Sequence, residues 1–317
     1  MKTILIIVGV IILLVILGGA GFWYMSQQPL YKPGMVRDEN NLNAPLEAPT
    51  QPDESDVWRV EADVELAHFS EGQGRNILVV HGGPGMPFTE PVSGLSLLSA
   101  DYQIHYYAQR GCGASSRPID RFDSKNMYAN MQTLDRTLGV GAQIADIERI
   151  RQILGDEKLI LIGHSWGGLL ASLYAVEFPE RVEALVLVSP ANMLVMPQIE
   201  ADSDLFASVR AQLPPEEHAE YDAFMKDYFD FGVLFEKSDA DLVAMNEQFG
   251  EYYVRIMGEK EDETGAPIPE QGRPGGWMVW AQYISLGQRY DLRPALEDVS
   301  VPVLVIHGAK DLQSEAA

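Results

Sequence analysis

The chain has 317 residues, of which 46% are hydrophobic, enough to form one large domain or two small ones. Its 46 acidic and 23 basic side chains give a formal net charge of −23, which argues against nucleic acid or an anionic lipid surface as a partner of the folded part. The single cysteine, Cys112, excludes an intrachain disulfide. No cysteine–histidine cluster indicates a metal site, so neither a metal nor a cofactor is expected.

The amino-terminal segment has the composition of a membrane helix. Residues 4–25 carry no charge and, at about 1.5 Å per residue, would span one hydrocarbon core. We therefore predict residues 1–25 to be a transmembrane anchor with the folded part on the extracytoplasmic side. The alternative is a signal segment that is cleaved near Gly18 and Ala20, followed by secretion. Residues 26–55 contain five prolines among polar residues and predict an extended linker.

Beyond the linker, short apolar runs alternate with segments of helical spacing. Residues 57–69 alternate in part and predict one or two antiparallel strands that open the fold. The later apolar runs predict buried strands at 76–80, 102–108, 158–163, 183–189 and 301–308, and the helical patterns between them include 142–154 and 167–178. Apolar strands separated by helices predict an α/β fold with a mostly parallel sheet covered on both faces.

The last two of these strands are separated by about 100 residues of different character. This stretch is rich in methionine, aromatic and acidic residues and has helical spacing at 203–212, 216–231 and 239–257. It predicts a helical cap inserted into the fold. The predicted domains are therefore a first part of the core at 56–194, the cap at 195–290 and a second, incomplete part of the core at 291–317.

One short motif indicates nucleophilic chemistry. Residues 163–167 read Gly-His-Ser-Trp-Gly and match the G-x-S-x-G nucleophile elbow between a predicted strand and a predicted helix. The glycines permit a tight turn that lifts the Ser165 hydroxyl above the edge of the sheet. The adjoining helix amino terminus favours negative charge that develops there. Ser165 is therefore the predicted nucleophile.

A second motif follows the strand at 76–80. Residues 81–85 read His-Gly-Gly-Pro-Gly, and such a loop can turn a backbone N–H group toward the serine. The N–H groups of Gly83 and Trp166 would then form an oxyanion hole for a tetrahedral intermediate.

Three motifs in this order, HGGPG, QRGCGAS and GHSWGG, resemble the α/β-hydrolase fold and, within it, the proline iminopeptidases. The resemblance runs from about residue 57 to the end of the chain and implies removal of an amino-terminal residue, typically proline, by acyl transfer through Ser165. It also implies Gly83 and Trp166 as the oxyanion donors. The chain departs from the family at Ala108, where an aspartate is usual, and at Ala281, where a glutamate commonly follows a tryptophan.

The acid of a catalytic triad is expected after a late strand, and the histidine after the acid. Asp311 follows the strand at 301–308 and is the predicted triad acid. Only six residues follow Asp311, and none of the six histidines lies in a suitable position, so the triad histidine is not present in the chain. We expect a carboxy-terminally truncated sequence, whose full product would supply the base, and very low activity for the chain as it stands.

The cap offers candidates for substrate binding. Glu247 and Glu251 are candidates to pair with a substrate ammonium, although acidic residues of this kind also form ordinary solvated helix faces. Trp277, Trp280 and Tyr283 recur at three-residue spacing and could line an apolar substrate pocket or pack in the core between cap and sheet.

The leading hypothesis is therefore a serine aminopeptidase that acts on peptides. A serine esterase or lactonase on small acyl substrates is the second hypothesis, and a catalytically inactive binding protein is the third if the natural chain ends at residue 317. An acidic cap residue near the substrate amine would favour the first, and an entirely apolar pocket would favour the second.

Overall fold

The computed structural model describes Tyr24 and residues 27–52, 56–197, 204–257, 270–309 and 311–312. The described strands are β1 (Val57–Glu61), β2 (Val64–Gly72), β3 (Arg75–Val80), β4 (Tyr102–Tyr107), β5 (Leu159–His164), β6 (Val182–Val188), β7 (Val195–Met196), β8 (Tyr290–Asp291) and β9 (Val303–Ile306). Seven of them form the main sheet in the order β1-β2-β4-β3-β5-β6-β9, and β7 pairs with β8 in the cap region.

The sheet has the predicted mixture of strand directions. Strand β2 runs antiparallel to both β1 and β4, whereas β4, β3, β5, β6 and β9 are parallel to one another. The central strand β3 pairs Ile77 with Ile104 on one side and with Ile160 on the other. Because β3 and β5 are covered on both faces, four of the six residues in each strand are buried and the side chains among them are aliphatic, as expected for the centre of a parallel sheet.

The helices cover this sheet and build the cap. They are α1 (Met127–Leu138), α2 (Val140–Leu154), α3 (Trp166–Glu177), α4 (Leu205–Gln212), α5 (His218–Tyr228), α6 (Asp239–Ile256), α7 (Trp277–Leu286) and α8 (Arg293–Glu297). Helix α2 ends at Gly155, whose φ of 74° closes the last turn. Helix α6 begins with a capping box between Ser238 and Asp241.

The cap has a hydrophobic core of its own, formed mainly by aromatic rings. Trp280 lies 4.9 Å from Tyr228, and Trp277 lies 5.0 Å from Phe122, measured between ring centroids. Trp277 and Trp280 are both fully buried in this cluster. Aromatic side chains bury more apolar area per residue than other side chains, so they stabilise the packing of the short cap helices against one another.

Residues 27–52 differ from the extended linker that their proline content predicts. Within this segment, Tyr31 is 3% exposed and Val36 is fully buried against the core. The Tyr31 hydroxyl donates to a carboxylate oxygen of Glu177 in α3 at 2.9 Å, and the Tyr31 N–H donates to the Ser285 carbonyl in α7 at 3.0 Å. The prolines therefore shape a segment that packs across the body of the protein.

The predicted localisation at a membrane must be corrected. No helix in the described part of the chain is long and apolar enough to cross a bilayer. The longest described helix, α6, contains five charged residues within 18 positions, and charged side chains are costly in hydrocarbon. Of the predicted anchor at 1–25, only Tyr24 belongs to the described residues, and the rest of the anchor lies outside them.

Strand β9 forms one edge of the sheet in the described part of the chain. Its four side chains, Val303 to Ile306, are each between 49% and 56% exposed although all four are aliphatic. Apolar side chains of a strand are normally covered by neighbouring elements. The incompleteness of the core at 291–317 stays a prediction.

Candidate active site

Ser165 occupies the sharp turn between β5 and α3. Its backbone has φ 51° and ψ −121°, a conformation that non-glycine residues rarely adopt and that costs of order 1–3 kcal/mol. Two hydrogen bonds hold the turn: the Ser165 N–H donates to the Val188 carbonyl at 3.0 Å, and the Ala191 N–H donates to the Ser165 carbonyl at 3.0 Å. The strained turn is the geometry that the G-x-S-x-G pattern predicts.

The glycines of the elbow allow helix α3 to approach the sheet closely. A Cβ atom on Gly167 would lie 2.1 Å from the carbonyl oxygen of Val80, at the end of β3. A Cβ atom on Gly163 would lie 2.5 Å from the carbonyl oxygen of Gly167. Any side chain at either position would collide with backbone atoms, so the two glycines determine how deeply the helix amino terminus sits behind Ser165.

The His-Gly-Gly-Pro-Gly loop lies directly against the elbow. A Cβ atom on Gly82 would be 2.9 Å from the Ser165 Cβ, and Gly83 has a φ of 115° that side-chain-bearing residues rarely adopt. Gly83, Pro84, Ser165 and Trp166 line one cavity of about 280 Å³. The structure thus brings the predicted nucleophile and both predicted oxyanion donors to the same cavity.

His81 fastens this loop to the neighbouring Gln-Arg-Gly loop. The Gln109 N–H donates to His81 Nε2 at 3.0 Å, which leaves His81 Nδ1 to donate to the Gly82 carbonyl at 2.9 Å. The Gln109 side-chain amide also donates to the His81 carbonyl. Burial lowers the pKa of His81 to about 4, so the ring stays neutral at physiological pH. The described contacts make His81 a positioning residue for the loop that carries Gly83.

This buried histidine predicts a loss of stability in mild acid. Because its folded-state pKa lies below the ordinary 6.5, the unfolded chain binds more protons between those two values. Its contribution to the free energy of unfolding is therefore complete above pH 6.5 and is lost as the pH falls to about 4, by about 3 kcal/mol. Burial lowers the pKa of His68 to about 4 as well, which acts in the same direction.

Urea unfolding at about pH 7.5 and about pH 4.5 measures this effect. We expect the difference in unfolding free energy between the two pH values to shrink in His81→Gln. Ser172→Ala, which removes no titratable group, should leave it unchanged. An unaltered difference in His81→Gln would contradict the assignment.

The carboxylates predicted to bind a substrate amine lie elsewhere. Glu247 and Glu251 are on α6, whose buried positions include Leu242 and Asn246, and neither glutamate lines the Ser165 cavity among the described residues. The cavity wall instead contains Asp204, the amino-terminal cap of α4. One Asp204 carboxylate oxygen accepts hydrogen bonds from the N–H groups of residues 206 and 207. The helical pattern at 203–212 was the one sequence signal that pointed to Asp204, because a helix that begins there needs an amino-terminal capping residue.

The predicted aromatic lining is found only in part. Trp277 and Trp280 belong to the buried core of the cap and are absent from the described wall of the Ser165 cavity. Tyr283, one turn further along α7, does line it, together with Phe229. Residues three positions apart lie on one broad face of helix α7. The two tryptophans on this face point into the core of the cap, and Tyr283 at its margin points into the cavity.

Asp311 follows β9 on the elbow side of the sheet. Its N–H donates to the Gly308 carbonyl at 2.9 Å. Strands β5, β6 and β9 are parallel, so Asp311, which follows β9, lies at the same edge of the sheet as Ser165, which follows β5. Burial lowers the pKa of His164, and the negative charge of Asp311 opposes that shift. The structure therefore brings the predicted acid to the end of the sheet where Ser165 lies.

Three of the histidines make contacts that indicate structural roles. His68 stacks on Trp58 with ring centroids 3.9 Å apart, and His105 Nε2 lies 2.9 Å from the Asn76 side-chain oxygen. His218 Nε2 lies 3.1 Å from the Leu213 carbonyl in the cap. A base supplied from outside this chain stays a prediction.

A mostly parallel sheet with a strained serine turn between a central strand and the following helix is characteristic of the hydrolases built on this architecture. Residues 75–312 match the family described as alpha/beta hydrolase fold, and the chain belongs to this family. The predicted membership of the α/β-hydrolase family is thereby confirmed.

Similar proteins have more than one activity in their names. A "Proline iminopeptidase" of Heyndrickxia coagulans is 34% identical over 128 residues, which are 40% of this chain and 39% of that protein. The chain thus spans about two fifths of that relative. A "(Lyso)-N-acylphosphatidylethanolamine lipase" of Mus musculus is 30% identical over 147 residues, 46% of this chain and 37% of the lipase. A solved proline iminopeptidase of Mycobacterium smegmatis is 22% identical, with a TM-score of 0.47 over 80% of this chain and 82% of that one.

Proposed function

We propose that the protein is a serine hydrolase of the aminopeptidase type, which releases proline or another small residue from the amino terminus of a peptide. The observation that carries the proposal is the presence of Ser165 and Asp204 in the wall of one cavity. An aminopeptidase must bind a free ammonium close to the carbonyl that is attacked, and a carboxylate is the group that binds it best. The name of the Heyndrickxia coagulans relative supports the same activity.

In the proposed reaction each of these groups has one role. The Ser165 oxygen attacks the carbonyl carbon of the first residue while a general base takes the hydroxyl proton. The carbonyl oxygen becomes negatively charged and accepts hydrogen bonds from the N–H groups of Gly83 and Trp166. The C–N bond then breaks, the departing amine receives the proton, and the residue remains as an ester on Ser165. Attack of water on this ester releases the free amino acid. Asp311 would orient and stabilise the base.

A second candidate is a serine esterase for apolar acyl groups. The observation that favours it is the wall of the same cavity, in which Met193, Met196, Phe206 and Phe229 surround the serine. The lipase name of the Mus musculus relative is consistent with ester substrates. The two candidates share Ser165 and its oxyanion donors and differ in the role of Asp204.

The Asp204→Asn variant distinguishes the aminopeptidase from the esterase. Asparagine caps a helix as well as aspartate does, so the variant keeps the start of α4 but loses the negative charge. We expect KM for prolyl and alanyl arylamides, which carry a free amine, to rise about tenfold, because one charge-assisted hydrogen bond is lost. The KM for acetyl arylesters, which have no amine, should not change.

Asp227→Asn provides the matched control, because Asp227 is an exposed aspartate of α5. It should leave both classes of substrate unaffected. Hydrolysis of arylesters alone, or an equal effect of Asp204→Asn on both classes, would refute the aminopeptidase and favour the esterase.

A further inference from the structure

A second cavity adjoins the one that contains Ser165. It has a volume of about 530 Å³, within the range of sites that bind small organic molecules. Four methionines line it, Met127, Met131, Met193 and Met196, together with Phe235 and Ile284 among other residues. We refer to this cavity as the methionine chamber. None of its described lining residues is an aspartate, glutamate, lysine, arginine or histidine.

The methionine chamber and the Ser165 cavity share part of their walls. Met193, Met196, Phe229 and Tyr283 face both cavities. Two of these four are methionines, whose unbranched side chains change rotamer at little cost and adapt to the shape of a ligand. A substrate held at Ser165 thus has an apolar space next to it that is larger than the space around the serine itself.

The chamber is also open to solvent through apolar side chains. Met127 is 48% exposed and Phe231 is 38% exposed, and both line it. Large exposed apolar side chains at the mouth of a cavity favour the entry of apolar ligands, because their own surface is removed from water when the ligand binds. The flexible and uncharged lining is suited to a ligand that is itself flexible and uncharged, such as an aliphatic chain.

We propose that the methionine chamber binds an unbranched aliphatic group of the substrate. That this group belongs to a substrate rests on the proposed function; that the chamber binds an aliphatic chain does not. The chain has two sources in an aminopeptidase substrate: the side chain of the residue that is released, or the group beyond the scissile bond. The free ammonium stays in the Ser165 cavity in both cases, since Asp204 lines that cavity and is not among the described residues of the chamber wall.

Binding is measured first, in a protein that cannot turn over. N-phenyl-1-naphthylamine, a neutral dye that fluoresces in apolar sites, is titrated into Ser165→Ala and then displaced with decanol. Met127→Glu, combined with Ser165→Ala, should weaken both dye and decanol about tenfold, because it places a charge at the mouth of the chamber. Met127 is in the first turn of α1, where a glutamate favours the helix.

Tyr128→Glu is the matched control, because Tyr128 is 60% exposed, lies in the same turn and is not part of the chamber wall. It should leave binding unchanged. Met131→Trp, which fills the chamber from within, is the second variant and should weaken decanol as well. Equal decanol binding in the wild-type chamber and in both chamber variants would overturn the proposal.

Turnover then identifies the source of the chain. Alanine octyl ester is compared with alanine methyl ester, and 2-aminodecanoic acid methyl ester with the same reference, in protein that has both an intact Ser165 and a triad base. The preferred long-chain substrate shows which group enters the chamber, and Met127→Glu should reduce that preference about tenfold. Chamber-dependent decanol binding without hydrolysis of any ester would refute the proposed function and leave the chamber assignment standing. Hydrolysis without any chain preference would refute its role in substrate binding.

Discussion

In a form of the protein in which a triad base serves Ser165, replacement of Ser165 by alanine is expected to lower kcat/KM for every hydrolysed substrate by at least about 10⁴-fold. Alanine removes the oxygen that forms the acyl-enzyme bond and preserves the small side chain at the turn. The residual rate would come from the oxyanion donors and from substrate binding. Steady-state hydrolysis of arylesters and arylamides, together with mass spectrometry of the acylated protein, measures the effect.

Ser172→Ala is the matched control, since Ser172 lies on the same helix and its hydroxyl donates only to the Gly168 carbonyl in the preceding turn. It should retain the wild-type rate and the acyl adduct. An acyl adduct that persists in Ser165→Ala, or a kcat/KM within tenfold of the wild-type value, would exclude Ser165 as the nucleophile.

Gly167→Ala should lower the free energy of unfolding by about 3 kcal/mol. The added methyl group would meet the carbonyl oxygens of Val80 at 2.1 Å and His81 at 2.6 Å, so α3 must move away from the sheet. The displacement would also shift the N–H of Trp166 away from its partner donor at Gly83. Urea unfolding gives the change in the free energy of unfolding.

Gly250→Ala tests whether this cost comes from contact and not from the loss of a glycine. Gly250 lies inside helix α6, and a Cβ atom there would meet nothing within 4 Å. Alanine should therefore stabilise the protein by about 0.5–1 kcal/mol, because it favours the helix. A Gly167→Ala variant as stable as wild type would show that α3 can adjust its position freely.

The sheet and the elbow could be predicted because local patterns determine them. A parallel sheet buried on both faces requires continuous apolar strands, and β3, β5 and β6 show this directly in sequence. The elbow at 163–167 is contiguous in the chain, so its strained serine and close glycines follow from five neighbouring residues. The Gly83 loop could be placed beside it because both follow strands that end at the same edge of the sheet.

The cap could not be predicted at the same level. Helical spacing locates α5 and α6 approximately, but it does not say which side of a helix faces a cavity that two other elements complete. The sequence was therefore equally consistent with Trp280 in a pocket wall and with Trp280 in the core. It was likewise consistent with Glu247 at an ammonium site and with Glu247 on a solvated helix face. The role proposed for Asp204 could not be predicted from the sequence, because it depends on the fold bringing Asp204 to the cavity of Ser165, which lies 39 positions earlier in the chain.

The segment at 27–52 has a consequence for the wall of the methionine chamber. It ties the carboxy-terminal end of α7 to α3, because the Tyr31 N–H donates to the Ser285 carbonyl and the Tyr31 hydroxyl donates to Glu177. Residues 286–288 follow Ser285 directly and line the chamber, and the Gln288 N–H donates to the Gln27 carbonyl. The amino-terminal segment therefore restrains one wall of the chamber, so that a bound ligand is accommodated mainly by the methionines of the other walls.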